Sequence, residues 1–243
     1  MVIADLHLNP EGDGVSRAFL DWLDALQAPR LVVLGDLFDT WIGPKQRRIP
    51  GSAAVVEALG RLVARGVELH VVPGNRDFLL GADLEAWTGA EVHAQGLVIE
   101  SSVGGRSLLV HGDELCTLDL GYQAYKRRIQ APLMRRWLPR LPLGVLRKIA
   151  ERLRANSERS VPRKGDQEKS MQADAALELL REAGAEHLIC GHAHRYRDEN
   201  SGSGEDALHW IVLDGWGGER DTLLWQADIW QGRAHRSVTS TVG

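Results

Sequence analysis

Leu31-Val32-Val33-Leu34-Gly35-Asp36-Leu37-Phe38-Asp39 joins four apolar residues to a glycine and two carboxylates three positions apart. An apolar run of that length closed by glycine predicts a strand buried on both faces. Its carboxylates then stand just past the strand's C-terminal end. Four other stretches repeat the arrangement. Val2-Ile3-Ala4 precedes Asp5-Leu6-His7, and Val71-Val72 precedes Gly74-Asn75-Arg76-Asp77. Leu108-Leu109-Val110 precedes His111-Gly112-Asp113, and Leu188-Ile189-Cys190 precedes Gly191-His192-Ala193-His194. Polar side chains at strand C-termini converge on one sheet edge, where open α/β folds bind their ligands.

Outward from these blocks, strands and helices alternate in the first half. Phe19, Leu20, Leu23 and Leu26 predict a helix before the strand at 31–34. Val55, Val56, Leu59, Leu62 and Val63 predict a second, near 53–65, leading to a strand at 69–72. This βαβαβ order argues a parallel or mixed sheet covered by helices. Strand signals recur at 97–101, 107–110, 209–213, 222–227 and 234–238, and the polar run DENSGSGED at 198–206 predicts a mobile loop. From Leu118 to about Gly184 helical patterning takes over, broken by Pro132, Pro139, Pro142 and Pro162. Residues 1–117 and 186–243 therefore read as one catalytic domain, and 118–185 as a helical insertion. The insertion is basic: residues 126–169 hold 14 Lys or Arg against 4 Asp or Glu, in a chain whose totals are 29 and 33.

A chain of 243 residues has room for one large α/β domain or a domain with an insertion. The formal net charge of -4 gives no support to a nucleic-acid partner. No apolar stretch approaches the roughly 20 residues that span a bilayer. Cleavage of a leader would remove Asp5 and His7, so none is expected. Cys116 and Cys190 lie far apart with no CxxC pairing, which argues against a disulfide framework or a thiolate metal site and for reduced, buried thiols in the cytoplasm.

Asp, Asn and His are oxygen and nitrogen donors that suit Mn²⁺, Fe or Zn²⁺. The blocks offer seven such ligands, Asp5, His7, Asp36, Asn75, His111, His192 and His194, enough for two ions if one carboxylate bridges. Paired ions about 3.5–4 Å apart hold a hydroxide for in-line attack on phosphorus and neutralise the phosphoryl oxygens.

The ordered set DxH, GDxxD, GN[HR]D, HGD and GHxH resembles the calcineurin-like metallophosphoesterases and runs from Asp5 to His194. The resemblance implies a four-layered αββα sandwich with a helical lid insertion. It implies one ion held by Asp5, His7, Asp36 and His194 and another by Asp36, Asn75, His111 and His192, with Asp36 as the bridge. Arg76 stands where most of the family carries His. With GDLFDTWIG at 35–43, GNRDFLLG at 74–81, HGDELCTLDLGY at 111–122 and RANS at 154–157, it is similar to one branch of the family, found in Gram-negative lipid A synthesis. That branch hydrolyses the pyrophosphate of UDP-2,3-diacylglucosamine to UMP and 2,3-diacylglucosamine 1-phosphate. The likeness implies two Mn²⁺ or other divalent ions and attack of a metal-held hydroxide on the α-phosphorus. Asp36, Arg76 and His192 would be catalytic, and Asn75, Arg76, Asp119, Ser157, Lys164 and His192 would contact substrate. Arg76 fits independently, because a planar guanidinium grips phosphate oxygens in bidentate fashion. One departure is Val161, followed by Pro162, where that branch carries Asn.

Other residues carry less. Trp41 either borders the site or fills core. His70, His93, His187, His209 and His235 read as surface or satisfied core histidines, Asp39 and Asp77 as groups that orient histidine ligands, and Asp113 as either orienting group or ligand. In the insertion Leu143, Leu146, Ile149 and Leu153 recur at helical spacing after Trp137, Leu138 and Leu141, among many arginines. Such a stripe either packs on the catalytic domain or lies on an anionic membrane surface. Because the resemblance implies a diacyl substrate, it is expected to be a lipid-binding lid on a protein peripheral to the cytoplasmic face of the inner membrane. No protein partner is implied. Two rival readings stay open: a pyrophosphatase for soluble nucleotide diphosphates such as ADP-ribose or CDP-alcohols, and a non-catalytic lipid- or nucleotide-binding protein on the same scaffold.

Overall fold

Alternation of apolar side chains along the central strands decides the layering. A computed structural model of the chain describes residues 1–101, 105–160, 170–204, 207–226 and 229–238, without the side chains of 101, 153–160 and 238. The chain runs β1 (Val2–Ala4), α1 (Gly14–Ala25), β2 (Arg30–Leu34), α2 (Pro50–Ala64), β3 (Glu68–Val72), α3 (Ala82–Thr88), β4 (Glu91–Val92), β5 (Leu97–Ser101) and β6 (Gly105–Leu109). It continues with α4 (Leu120–Ile129), α5 (Pro132–Trp137), α6 (Leu143–Ser160), α7 (Ala173–Ala183), β7 (His187–Cys190), β8 (Arg197–Ser201), β9 (Leu208–Val212), β10 (Thr222–Gln226), β11 (Ile229–Arg233) and α8 (His235–Val238).

The first sheet has the order β11-β10-β1-β2-β3-β4, with β1 to β4 parallel, β10 antiparallel to β1 and β11 antiparallel to β10. The second has the order β5-β6-β7-β9-β8, with β6, β7 and β9 parallel. Successive residues of a strand face opposite sides. Ile3, Leu31, Val33, Leu69 and Val71 pack with Phe19, Leu23, Leu59 and Leu62 of α1 and α2. Their neighbours Val2, Ala4, Val32, Leu34 and Val72 pack instead against Leu109, Ile189 and Ile211 of the second sheet. On that sheet's far side Leu108, Leu188 and Trp210 cover Ala176 and Leu180 of α7. The result is helix, sheet, sheet, helix, the four-layered αββα sandwich that the motifs implied.

Two local expectations are corrected. Residues 234–238 form no strand; the strand lies at β11, because the register Gln226↔Ile229 starts the return strand immediately after β10, and α8 follows. Nor is 198–206 a loop throughout: β8 pairs along β9 from Arg197↔Val212 to Ser201↔Leu208. It is an edge strand, where polar side chains discourage pairing with another chain, so a polar run there is compatible with a ladder.

Outside the layering, α5 and α6 reach the face that bears the ligand blocks. Leu138 and Leu146 are buried with Ile42, and Leu143 and Ile149 pack onto this cluster. Lys45 Nζ donates to Arg140 O (2.8 Å) and Leu141 O (2.6 Å), fixing the contact. The apolar stripe expected to receive lipid is therefore in large part packed against the sandwich. Exposed apolar residues lie elsewhere on α4 to α6: Leu120, Leu133, Met134, Trp137 and Val145.

Candidate metal centre

β1 and β2 are parallel neighbours that end at Ala4 and Leu34, so Asp5 and Asp36 leave the sheet side by side. β3 ends at Val72 and delivers Asn75 and Arg76 beside them. From the second sheet, β6 delivers His111 and β7 delivers His192 and His194. Five non-glycine residues among those described have positive φ: Asp5 (53°), His7 (49°), Asp36 (48°), His192 (67°) and His194 (51°). All five belong to the seven ligand residues read from the sequence. A left-handed backbone costs a non-glycine residue on the order of 1–3 kcal/mol and clusters where function requires a fixed geometry.

Glycine permits the closeness. A Cβ at Gly74 would collide with the carboxylate and amide of Asp36, and one at Gly35 (φ +75°) with the ring of His111. Each key carboxylate uses one oxygen to tie down a neighbouring loop. Asp5 Oδ2 accepts from His192 N (2.7 Å), and Asp36 Oδ1 from Arg76 N (2.9 Å).

The side chains gather in two overlapping groups. Asp5, His7 and His194 form one: His7 Nε2 lies 3.1 Å from His194 Nε2, which is 3.4 Å from Asp5 Oδ1. In the other, His111 Nε2 lies 2.9 Å from Asn75 Oδ1, 3.2 Å from His192 Nδ1 and 3.8 Å from Asp36 Oδ1. Asp36 faces both groups, since its Oδ2 is 3.7 Å from His7 Nδ1. His111 Nδ1–H donates to Leu34 O (3.1 Å), which leaves Nε2 as the atom offered to the centre.

Electrostatics describe the same place. Burial raises Asp36 to about 7, with Asp77 and Asp5 adding to the effect. Burial works to lower His111, but Asp36, Asp5 and Asp113 overcome it and push it to about 9. Burial depresses His7 to about 3, helped by Arg76, and His192 to about 4, helped by protonated His111. Asp5 Oδ1 and His7 Nδ1 are buried without a hydrogen-bond partner. Lone pairs of carboxylates, imidazoles and an amide thus point at one another with too few protons between them. This donor set fits divalent cations, which satisfy such atoms without a proton.

Arg76 sits at the rim. Its Nη1 donates to Asp39 Oδ1 (2.6 Å), and its Nε lies 3.6 Å from Asp36 Oδ2. Asp77 takes the amides of Gly74 (2.7 Å) and Phe38 (3.3 Å) instead of orienting a histidine ligand as expected. A buried carboxylate there shapes the GNRD loop itself. Asp113, read as ligand or orienting group, accepts from the Tyr122 hydroxyl and pairs with Lys126 Nζ (2.7 Å), anchoring α4 beside His111. Sequence reasoning missed Tyr122 and Lys126; their i, i+4 spacing on α4 was the available signal. Trp41 is core, stacked on Phe38. Asp119 caps α4 by accepting from Tyr122 N (3.0 Å). Ser157 lies on α6 with its side chain outside the described residues, and Lys164 and Val161 lie outside them altogether. Cys116 and Cys190 are buried thiols outside any disulfide, raised by burial to about 11 and 12.

The model of the calcineurin-like phosphoesterases matches residues 1–196. The chain belongs to this family of hydrolases, which work with divalent metal ions. Over 197 residues it is 39% identical to the UDP-2,3-diacylglucosamine hydrolase of Photorhabdus laumondii, covering 80% of this chain and 81% of the relative. It is 37% identical over 218 residues to the UDP-2,3-diacylglucosamine hydrolase of Pectobacterium carotovorum, covering 89% and 90%. Among solved structures, a dimetal phosphatase from Danio rerio aligns at 17% identity with a TM-score of 0.43, covering 88% of this chain and 86% of that one.

Proposed function

We propose that the chain hydrolyses the pyrophosphate of UDP-2,3-diacylglucosamine, giving UMP and 2,3-diacylglucosamine 1-phosphate by attack at the α-phosphorus. The observation that carries this reading is the 37–39% identity to UDP-2,3-diacylglucosamine hydrolases over most of both chains. Two Mn²⁺ ions would be held by Asp5, His7, Asp36 and His194 and by Asp36, Asn75, His111 and His192. Divalent ions there supply positive charge for the phosphoryl oxygens and acidify a water. Asp36 keeps the two ligand groups together, because its oxygens face one each. Arg76, oriented by Asp39, binds pyrophosphate oxygens, and with His192 it stabilises the charge that develops on them. Asn75, Asp119, Ser157 and Lys164 complete the substrate contacts.

Of residues 118–185, α4 to α6 act as the lid over this site, whereas α7 belongs to the sandwich, with Ala176 and Leu180 packed on the second sheet. The lid's exposed Leu120, Leu133, Met134 and Trp137, set among Arg127, Arg128, Arg135 and Arg136, suit acyl chains and an anionic surface. No described helix is long and apolar enough to cross a membrane. On this reading the exposed basic and apolar face meets lipid peripherally, on the cytoplasmic face of the inner membrane. The test is UMP release by the purified protein from UDP-2,3-diacylglucosamine with Mn²⁺ and detergent. Equal turnover of ADP-ribose or a CDP-alcohol would refute the lipid assignment.

A further inference from the structure

We propose that His70, Glu91 and His93 form a second metal centre, separate from the candidate catalytic one, that takes one divalent transition-metal ion and clips β4 to β3. Glu91 stands opposite His70 in the parallel register, and His93 lies two residues beyond Glu91, hence on the same face. The ladder continues to that point, since His93 N donates to Val71 O (2.8 Å). Three ligand-type side chains therefore project from two adjacent strands toward one spot.

The spacing suits an ion. His70 Nδ1 lies 3.0 Å from His93 Nε2 and 3.4 Å from Glu91 Oε2, and His93 Nε2 lies 3.7 Å from the same oxygen. A tetrahedral ion with bonds of about 2.0–2.1 Å sets its ligand atoms about 3.3–3.4 Å apart, the middle of that range. Two imidazoles and a carboxylate leave a fourth position for water and select Zn²⁺, Ni²⁺ or Cu²⁺ over Mg²⁺ or Mn²⁺. The side chains of His70 and His93 are 13% and 24% exposed and that of Glu91 is 70% exposed, so an ion can enter from solvent. Burial, working against Glu91, holds His70 below its ordinary value, which weakens the proton's competition with an ion. The other charges facing His70, Arg30 and Glu68, pair with each other at 2.6 Å and leave no excess positive charge against an ion.

The centre shares no residue with the two groups of the candidate catalytic site. β4 has only two residues, so a bond through an ion would add materially to its attachment. β3 leads directly into the loop that carries Asn75 and Arg76.

The experiment counts metal. Protein loaded with Mn²⁺ is equilibrated with Zn²⁺, freed of loose ions by gel filtration, and analysed beside Glu91→Gln and His93→Gln. Glu91 is exposed and His93 half-buried, and neither belongs to the candidate catalytic groups, so Mn²⁺-dependent hydrolysis should survive both substitutions. The wild type should retain one more Zn²⁺ per chain than either variant. Added Zn²⁺ at a hundredfold excess over Kd should raise its Tm by about 5 °C more than theirs. Equal zinc content in all three proteins would overturn the proposal, whatever the catalytic site holds.

Discussion

Leu133 and Trp137 on α5 and Leu146 on α6 all belong to the basic helical segment, yet they predict opposite outcomes on mutation. Leu133 is 69% exposed and Trp137 59%, whereas Leu146 is fully buried with Ile42 and Leu138. Burying a large apolar side chain contributes about 1.5–3 kcal/mol, so acyl chains that cover these exposed fractions would gain about 1–2 kcal/mol from each. The double substitution Leu133→Ser, Trp137→Ser should then lower kcat/KM for UDP-2,3-diacylglucosamine by roughly 10²-fold. It should leave hydrolysis of the deacylated UDP-sugar, and Tm, nearly unchanged. Leu146→Ala should instead cost about 2–5 kcal/mol of stability through the cavity it leaves, with no preference between substrates. Steady-state kinetics on matched acylated and deacylated substrates, with thermal melts, separate the cases. Equal loss on both substrates from the Leu133, Trp137 pair would refute the assignment of that surface to lipid.

Three further outcomes follow from the candidate catalytic centre. Asp36→Ala should abolish hydrolysis and reduce bound metal well below two ions per chain, because both ligand groups face this carboxylate; two retained ions by elemental analysis would refute the bridge. Arg76→Lys should keep metal content but lower kcat/KM by about 10²–10³, on the order of 2–4 kcal/mol, because one charged point replaces the fork; a rate within twofold of wild type would make Arg76 structural. In EDTA, His111 contributes stability that is complete below its unfolded value of about 6.5 and is lost as pH rises through about 9. Bound metal replaces that proton, so the Tm gap between metal-loaded and metal-free protein should widen from pH 6.5 to 9; a constant gap would contradict the pairing of His111 with Asp36 and Asp5.

The central strands were legible because each is buried on both faces, so near-continuous apolar runs marked them directly. β8 was not, since an edge strand with exposed, polar side chains has the composition of a loop, and only its register with β9 reveals it. The stripe Leu143, Leu146 and Ile149 shows a subtler limit. Helical periodicity says that a face is covered, but the same spacing serves a protein core and a lipid. Ile42, a hundred residues earlier, settles what covers Leu146. Pairings between distant elements, such as Arg76 with Asp39 and Lys126 with Asp113, were hidden for the same reason.

The ligand residues were legible by type and position, but the conformation that makes them a site was not. Nothing in a single sequence marks Asp5, His7, Asp36, His192 and His194 as left-handed, yet all five are. Strain of that size at five positions persists only if the surroundings overdetermine it. The ladders of both sheets do so from below, and the carboxylates do so from above. Asp5 Oδ2 holds the His192 loop and Asp36 Oδ1 holds the Arg76 loop, so each carboxylate spends one oxygen on protein. Asp5 Oδ1, buried with no hydrogen bond, and Asp36 Oδ2, facing His7, are left for the centre. The loops are therefore fixed by the protein's own hydrogen bonds, and a cation completes the arrangement without having to build it.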